Sequence, residues 1–127
     1  MRLLLDTHVL LWSLLGSRRL GPATRRRLED PANDCYVSAA STWEIAIKAG
    51  LGKSLPEFDL ESLEEVIVAA GFRPLPVTLA HSLVIDGSDL PQGDPFDRLL
   101  LAQCHVETLR LLTADRNLLV SPLAIAA

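Results

Sequence analysis

The sequence predicts a single α/β domain over residues 1–127, in which a short parallel sheet is flanked by helices in three layers, α/β/α. Short apolar runs alternate with longer helical segments, as in successive β-α-β units. These runs are apolar throughout, as expected for strands that are covered on both faces. The chain has 127 residues and is 49% hydrophobic, which suits one domain with a well-filled core.

Turn residues mark the ends of the elements in the first half of the chain. The predicted elements are, in order, strand Leu3–Leu5, helix 8–16, a helix in "GPATRRRLED", strand Cys35–Val37, a helix in "SAASTWEIAIKAGLG" and a helix over 59–70. Gly16 and Gly71 favour helix ends, because glycine adopts the left-handed conformation there without steric cost. The third helix is expected to end at Gly50 or Gly52, and Pro22 fits the first turn of the second.

The second half of the chain is organised around one long helix. The predicted elements are, in order, a strand in "FRPLPVT", a helix over 78–86, a loop in "SDLPQG", the longest helix in "DPFDRLLLAQCHVETL", a strand in "RLLTAD" and a short last strand in "NLLVSPLAIAA". The prolines of "FRPLPVT" favour an edge strand, since proline cannot donate to the ladder of a central strand.

Charge and composition exclude several classes of protein. The net charge of −4 argues against a general nucleic-acid binder, which is usually basic, but not against an enzyme that acts on nucleic acid. Neither a secretory signal nor an apolar span of about 20 residues is evident, which predicts a cytoplasmic protein. Cys35 and Cys104 lack metal or redox spacing and are expected to be buried. Arg25–Arg27 fit a solvated helix face better than a phosphate-binding patch.

Acidic residues recur where a parallel sheet would bring them to one edge. Asp6 and Asp115 each follow an apolar strand, and ligands of open α/β sheets bind outside the carboxyl ends of the strands. Glu44 lies on the helix that follows the second strand. Asp94 and Asp97 lie in the first turn of the long helix, on the same side. We therefore expect five carboxylates at one rim.

Each acid also has an ordinary structural interpretation. Asp94 fits the N-cap of the long helix, and Asp97 fits a first-turn position where an acid complements the helix dipole. Glu44 follows Ser41 by three residues, the form of a capping box, and it could instead pair with Lys48 four residues later.

The acids together favour a cation site. Asp115 alone fits a turn, but caps and turns do not require acids after two strands as well as near two helix starts. Clustered carboxylates raise one another's pKa unless a cation lies among them. Mg²⁺ and Mn²⁺ prefer oxygen ligands, and such ions activate water and stabilise displacement at phosphorus. The residues alone indicate a metal-dependent phosphoryl-transfer enzyme.

Four segments resemble, in order and spacing, the motifs of PIN-domain ribonucleases, in particular the VapC toxins of toxin–antitoxin pairs. They are "LLLDTHVLLW", "VSAASTWEIAIKAGLGK", "GDPFDRLLLAQ" and "LLTADRNL", and they span about residues 1–118. The resemblance implies a PIN fold with an acidic, metal-binding pocket at the carboxyl ends of the strands. By motif, the residues that match the family's catalytic and metal-binding acids are Asp6, Glu44, Asp97 and Asp115.

The resemblance also implies supporting residues and an activity. Asp94 is expected to be a supporting acid or an N-cap, Thr7 to orient Asp6 or a bound water, and Asn117 to position water or a substrate phosphate. The implied activity is endoribonucleolytic hydrolysis of RNA with Mg²⁺ or Mn²⁺ as cofactor. His8 is expected to pack or to begin a helix rather than to catalyse. Arg98 could stay in solvent, pair with an acid or contact RNA.

Partners follow from the same resemblance. It implies a small cognate antitoxin that covers the pocket and a homodimer. No membrane association is expected, because no apolar stretch of about 20 residues is evident. Two departures stand out: the chain ends in "LLVSPLAIAA" rather than in an aromatic strand, and "LPQGDPF" lacks the histidines often found before this motif. The second departure indicates that a minor metal or substrate contact is missing.

Two other functions are open on the residues alone. A receiver-like signalling domain would carry paired acids after the first strand, whereas Asp6 stands alone there. A non-catalytic binding module would be expected to lose some acids, whereas this chain keeps the set.

Overall fold

The sheet is parallel throughout and lies between helices, as predicted. The computed structural model describes residues 1–51, 59–84 and 94–127. The strands are β1 Arg2–Leu5, β2 Asp34–Ser38, β3 Arg73–Leu75, β4 Arg110–Thr113 and β5 Ala124–Ala126. The helices are α1 Thr7–Leu15, α2 Pro22–Glu29, α3 Ala39–Gly50, α4 Leu63–Ala69, α5 Leu79–Ser82 and α6 Pro95–Glu107.

The strand order β3-β2-β1-β4-β5 places β1 at the centre of the sheet. From β1 the chain passes to β2 and β3 on one side, and it later returns to β4 and β5 on the other side. The direction of the connections therefore reverses between β1 and β4. The crevice outside the carboxyl ends of these two strands is the topological switch point, where open α/β sheets bind their ligands.

Both faces of β1 are buried, which accounts for its uninterrupted apolar sequence. Leu3 and Leu5 belong to a core cluster that includes Val9 of α1 and Ile67 of α4. Leu4 points the other way and joins a second cluster with residues of α6, including Leu100 and Leu101. Leu3, Leu4 and Leu5 each have 0% exposure. The alternation follows from the two-residue period of a strand, and it anchors β1 in both core clusters.

Glycines end two helices as predicted. Gly16 follows α1 with φ +62°, and Gly71 follows α4 with φ +91°. Both angles lie in the left-handed region that glycine adopts readily. Gly50 is the last residue of α3, and the alternative end at Gly52 lies outside the described residues.

Two helices are shorter than the sequence predicts. The helix expected over 59–70 begins at Leu63, because the Asp59 carboxylate accepts the Glu61 N–H and the Ser62 hydroxyl and so forms a separate turn. The helix expected over 78–86 covers only Leu79–Ser82. The backbone N–H groups of Leu83 and Val84 then bond to carbonyls three residues earlier, as in a 3₁₀ turn. Residues 85–86 and the "SDLPQG" loop lie outside the described residues.

The edge strand, the longest helix and the last strand are confirmed. Among the described strands β3 pairs only with β2, at one edge of the sheet, and α6 is the longest of the described helices. Residues 124–126 of the uncertain tail pair with β4. None of the described helices combines the length and apolar character needed to cross a membrane.

The cysteines are buried as expected, whereas the arginine run is solvated only in part. Cys35 and Cys104 are free and buried, and burial raises the pKa of both thiols, that of Cys104 to about 12. Arg26 is exposed on α2. Arg25 and Arg27 direct guanidinium N–H groups towards backbone carbonyls of this chain, at 3.4 and 3.5 Å.

Candidate functional site

Asp6 lies at the switch point, one residue beyond β1. Its Oδ1 accepts a hydrogen bond from the Thr7 N–H at 2.8 Å, which makes Asp6 the N-cap of α1. Its Oδ2 accepts a hydrogen bond from the Thr113 hydroxyl at 2.7 Å, across the gap between β1 and β4. Burial raises the pKa of Asp6, although the hydrogen bonds from Thr113 and Thr7 oppose the rise. The carboxylate is thus held by two elements on opposite sides of the switch point.

Glu44 reaches the same region from α3, where it is 7% exposed. Its Oε1 accepts a hydrogen bond from the Thr7 hydroxyl at 2.7 Å. Its Oε2 pairs with Lys48 Nζ at 2.8 Å, which confirms the predicted pair between residues four apart. Thr7 therefore positions two acids: its backbone N–H binds Asp6, and its hydroxyl binds Glu44.

The predicted capping box of Ser41 and Glu44 is wrong. α3 begins three residues earlier, because the Ser38 hydroxyl accepts the Ala40 N–H at 2.9 Å and caps the helix. Ser41 consequently lies inside the helix, with its Oγ 3.0 Å from Thr7 Oγ1. Both Ser41 and Glu44 face the switch point rather than the start of their own helix.

The start of α6 carries two further acids. Asp94 is the N-cap, and its Oδ1 accepts the Phe96 N–H at 2.8 Å, as one of its two interpretations predicted. Asp97 lies in the first turn, where the positive end of the helix dipole favours an acid. The neighbouring Arg98 is exposed.

Asp115 follows β4 in a tight turn. Its Oδ1 accepts the Asn117 N–H at 2.9 Å, and its own N–H donates to the Thr113 hydroxyl at 3.0 Å. The turn interpretation is thus confirmed, and the side chain of Asp115 is exposed at the rim. Asn117 contributes a backbone N–H to this turn, while its side chain is exposed.

The other four predicted acids lie within electrostatic reach of Asp97. The pKa of Asp97 is raised from its ordinary value of 3.8 to about 7. Burial is the largest cause, followed by repulsion from other carboxylates, in the order Asp94, Asp6, Glu44 and Asp115. These four acids lie at the start of α6, after β1, on α3 and after β4, respectively. The fold therefore gathers residues that are far apart in sequence.

Thr113 and Ser41 are parts of the site that the sequence reasoning missed. The Thr113 hydroxyl donates to Asp6 and accepts from the Asp115 backbone, and so it links the two acids that flank the switch point. A hydroxyl at the carboxyl end of a strand, two residues before an acid, is the signal that could have identified it. His8 is exposed, and its ring lies 6.1 Å from that of Trp12, in agreement with a packing role at the helix start.

The donor set fits a hard divalent cation. It consists of carboxylate and hydroxyl oxygens, the ligands of Mg²⁺ and Mn²⁺, and a cation would relieve the repulsion that raises the pKa of Asp97. Within residues 1–51, 59–84 and 94–127, no three acidic, histidine or cysteine side chains converge closely enough to hold an ion by themselves. Water and substrate oxygens would complete the coordination, as is usual for Mg²⁺.

Asp97→Asn is expected to stabilise the protein in the presence of a chelator. Because the folded-state pKa of about 7 lies above the ordinary value of 3.8, folding binds a proton, and the parent loses stability as pH rises between these values. Removing the charge should raise the free energy of unfolding at pH 8 by about 1–2 kcal/mol, after allowance for partial exposure.

Thermal unfolding at pH 4 and at pH 8 measures this effect. The stabilisation should be small at pH 4 and complete at pH 8. Asp30→Asn, at an exposed position that ends α2, is the matched control and should change little. An Asp97→Asn protein that is less stable than the parent at pH 8 would show that burial and neighbouring carboxylates do not destabilise the charged form of Asp97.

Comparisons with known proteins agree with the fold. The PIN domain family matches residues 3–120. Ribonuclease VapC22 of Mycobacterium tuberculosis (strain ATCC 25618 / H37Rv) is 34% identical over 119 residues, which cover 91% of this chain and 88% of the relative. The crystal structure of VapBC2 from Rickettsia felis, bound to a DNA fragment from their promoter, is similar with a TM-score of 0.69 at 16% identity, over 100% of this chain and 98% of the other.

Proposed function

Because this chain belongs to the PIN domain family, we propose that it is a metal-dependent endoribonuclease and the toxin of a toxin–antitoxin pair. One observation carries the proposal: at the switch point of a PIN fold, burial and repulsion from four other carboxylates raise the pKa of Asp97 to about 7. The relative named Ribonuclease VapC22 supports RNA as the substrate, since it is 34% identical over nearly the whole chain.

We assign a role to each residue of the site. Asp6, Glu44, Asp97 and Asp115 would hold Mg²⁺ or Mn²⁺, which when bound supplies activation of water and stabilisation of charge at phosphorus. Thr7 and Thr113 restrict the rotation of two of these acids through the hydrogen bonds described above.

Two residues support the site from its margins. Asp94 caps α6 and adds negative charge beside Asp97. Asn117 lies next to the Asp115 turn, with its side chain available to water or to a substrate phosphate.

Cation dependence of RNA cleavage tests the proposal. The purified protein should cleave RNA in Mg²⁺ or Mn²⁺, lose this activity in EDTA, and regain it when either cation is restored. Undiminished cleavage in EDTA would contradict the metal role. Cation binding by calorimetry without cleavage of any RNA would favour the alternative, a non-catalytic module with an acidic cation-binding pocket.

We also propose a small cognate antitoxin and a homodimer. The antitoxin is supported by the family assignment and by a VapBC complex that shares this fold. Co-expression with the product of the neighbouring reading frame should give a co-purifying complex with reduced cleavage. Sedimentation of the protein alone should give twice the mass of 13.8 kDa. A monomeric mass would contradict the homodimer. A product of the neighbouring reading frame that does not bind would contradict the antitoxin proposal.

A further inference from the structure

An exposed tryptophan stands beside the acids and has no role in the site described so far. Trp43 is 62% exposed on α3, directly before the buried Glu44. Its ring meets that of Phe96 edge to face, with 5.6 Å between the ring centroids and 68° between the planes. Phe96 in turn directly precedes Asp97. The two aromatic rings therefore lie where α3 and α6 meet, next to an acid on each helix.

Core packing does not explain the position of Trp43. The buried side chains of α3 are Ala40, Ser41, Glu44 and Ile45, and Trp43 lies outside that face. The other tryptophan, Trp12, packs against a core cluster, whereas Trp43 belongs to neither of the two clusters in the described part of the chain. The edge-to-face contact restrains the indole, and most of its surface stays open to solvent.

The negative charge of the site favours a role for the Trp43 ring in binding RNA. The chain carries a net charge of −4, and five carboxylates surround the switch point, so the site itself repels an RNA backbone. A nucleobase stacked on an aromatic ring adds binding energy that does not depend on phosphate charge. A restrained, exposed indole next to two of the acids is placed to supply such a contact.

We infer that Trp43, supported by Phe96, is a stacking platform for one unpaired nucleobase of the RNA strand bound at the acids. The inference rests on the proposed ribonuclease function and assigns it a substrate-positioning residue. Stacking on an indole tolerates any base, so this contact would set the position of the strand more than its sequence.

Fluorescence binding tests the contact without cleavage. In an Asp6→Asn, Trp12→Phe background Trp43 is the sole tryptophan, since the chain has two. In Mg²⁺, a short single-stranded RNA should quench its emission. A strand of the same length with abasic sugars keeps every phosphate but lacks the bases, so it should not quench the emission. By fluorescence anisotropy of labelled RNA in the Asp6→Asn background, Trp43→Ala should weaken binding of the base-bearing strand about 10-fold, and Trp43→Phe less than about 3-fold.

Cleavage by the otherwise unchanged protein supplies the second readout. Trp43→Ala should raise KM about 10-fold with little change in kcat, because stacking holds the strand before reaction and does not stabilise the transition state further. Leu79→Ala is the matched control, since Leu79 is an 81% exposed apolar residue on α5, and it should leave KM unchanged.

Each contrary result separates this inference from the proposed function. A parent that binds and cleaves RNA, with Trp43→Ala equal to it, overturns the stacking role alone. Equal losses on the base-bearing and abasic strands overturn it as well. A loss of self-association or of antitoxin binding in Trp43→Ala, with RNA binding intact, would assign the indole to a protein interface instead. A parent that neither binds nor cleaves RNA overturns both proposals.

Discussion

Asp6→Asn is expected to lower cation-dependent RNA cleavage by about 10²–10³-fold, the usual cost of removing one electrostatic group that stabilises a transition state. Asn keeps the shape of Asp6, and its amide oxygen can still accept one of the hydrogen bonds from Thr7 and Thr113. It carries no charge, however, and it presents an NH₂ group where the second carboxylate oxygen would face a cation. The initial rate of cleavage of a labelled RNA at saturating Mg²⁺ or Mn²⁺ measures the effect.

The matched control for this change is Asp30→Asn. Asp30 is exposed at the end of α2, and its Oδ1 accepts the Ala32 N–H at 2.9 Å, a bond that asparagine can also make. Cleavage at the parental rate is expected for this control. Circular dichroism should show the parental spectrum for both proteins. An Asp6→Asn protein that is folded and cleaves as fast as the parent would show that the assigned site is wrong.

Leu4→Ala is expected to cause the largest loss of stability, about 3–4 kcal/mol in the free energy of unfolding. Leu4 has 0% exposure and is the residue of β1 that joins the core cluster containing Leu100 and Leu101 of α6. Truncation to alanine leaves a cavity between the central strand and this helix. The midpoint of thermal unfolding should fall by about 10–15 °C for a domain of this size.

Urea denaturation of Leu4→Ala and of Leu79→Ala compares a buried leucine with an exposed one. Leu79 is 81% exposed, and its truncation should change the free energy of unfolding by less than about 0.5 kcal/mol. A loss of less than about 1 kcal/mol for Leu4→Ala would mean that the second core cluster is not packed as described.

The sheet and the gathering of the acids could be predicted because they depend on patterns that the sequence displays directly. The apolar run Leu3–Leu5 is uninterrupted because alternate residues enter different core clusters, and that pattern identifies a strand covered on both faces. An acid directly after such a strand lies at the carboxyl edge whatever the detail of the loops. Asp6 and Asp115 were therefore placed correctly from position alone.

The boundaries and hydrogen-bond partners could not be predicted, because they depend on local competition between side-chain oxygens that can accept backbone N–H groups. Ser38 and Ser41 are both plausible caps for α3, and the structure has Ser38 at the N-cap, where its hydroxyl accepts the Ala40 N–H. The sequence likewise offers Asp59 as the start of a helix, although its carboxylate binds Glu61 and Ser62 in a turn. Thr113 was missed because a bond between residues 107 positions apart has no signature in the linear sequence.

The bond between Thr113 and Asp6 also bears on when the site comes into being during synthesis. Asp6 leaves the ribosome well before β4, because Thr113 follows it by 107 residues. β1 cannot complete its central place in the sheet until β4 is available to pair with it. A chain that has been synthesised only as far as α6 thus carries Asp6, Glu44, Asp94 and Asp97 but lacks the strand that holds Asp6 in place, so the arrangement of the acids forms only after β4 has been added.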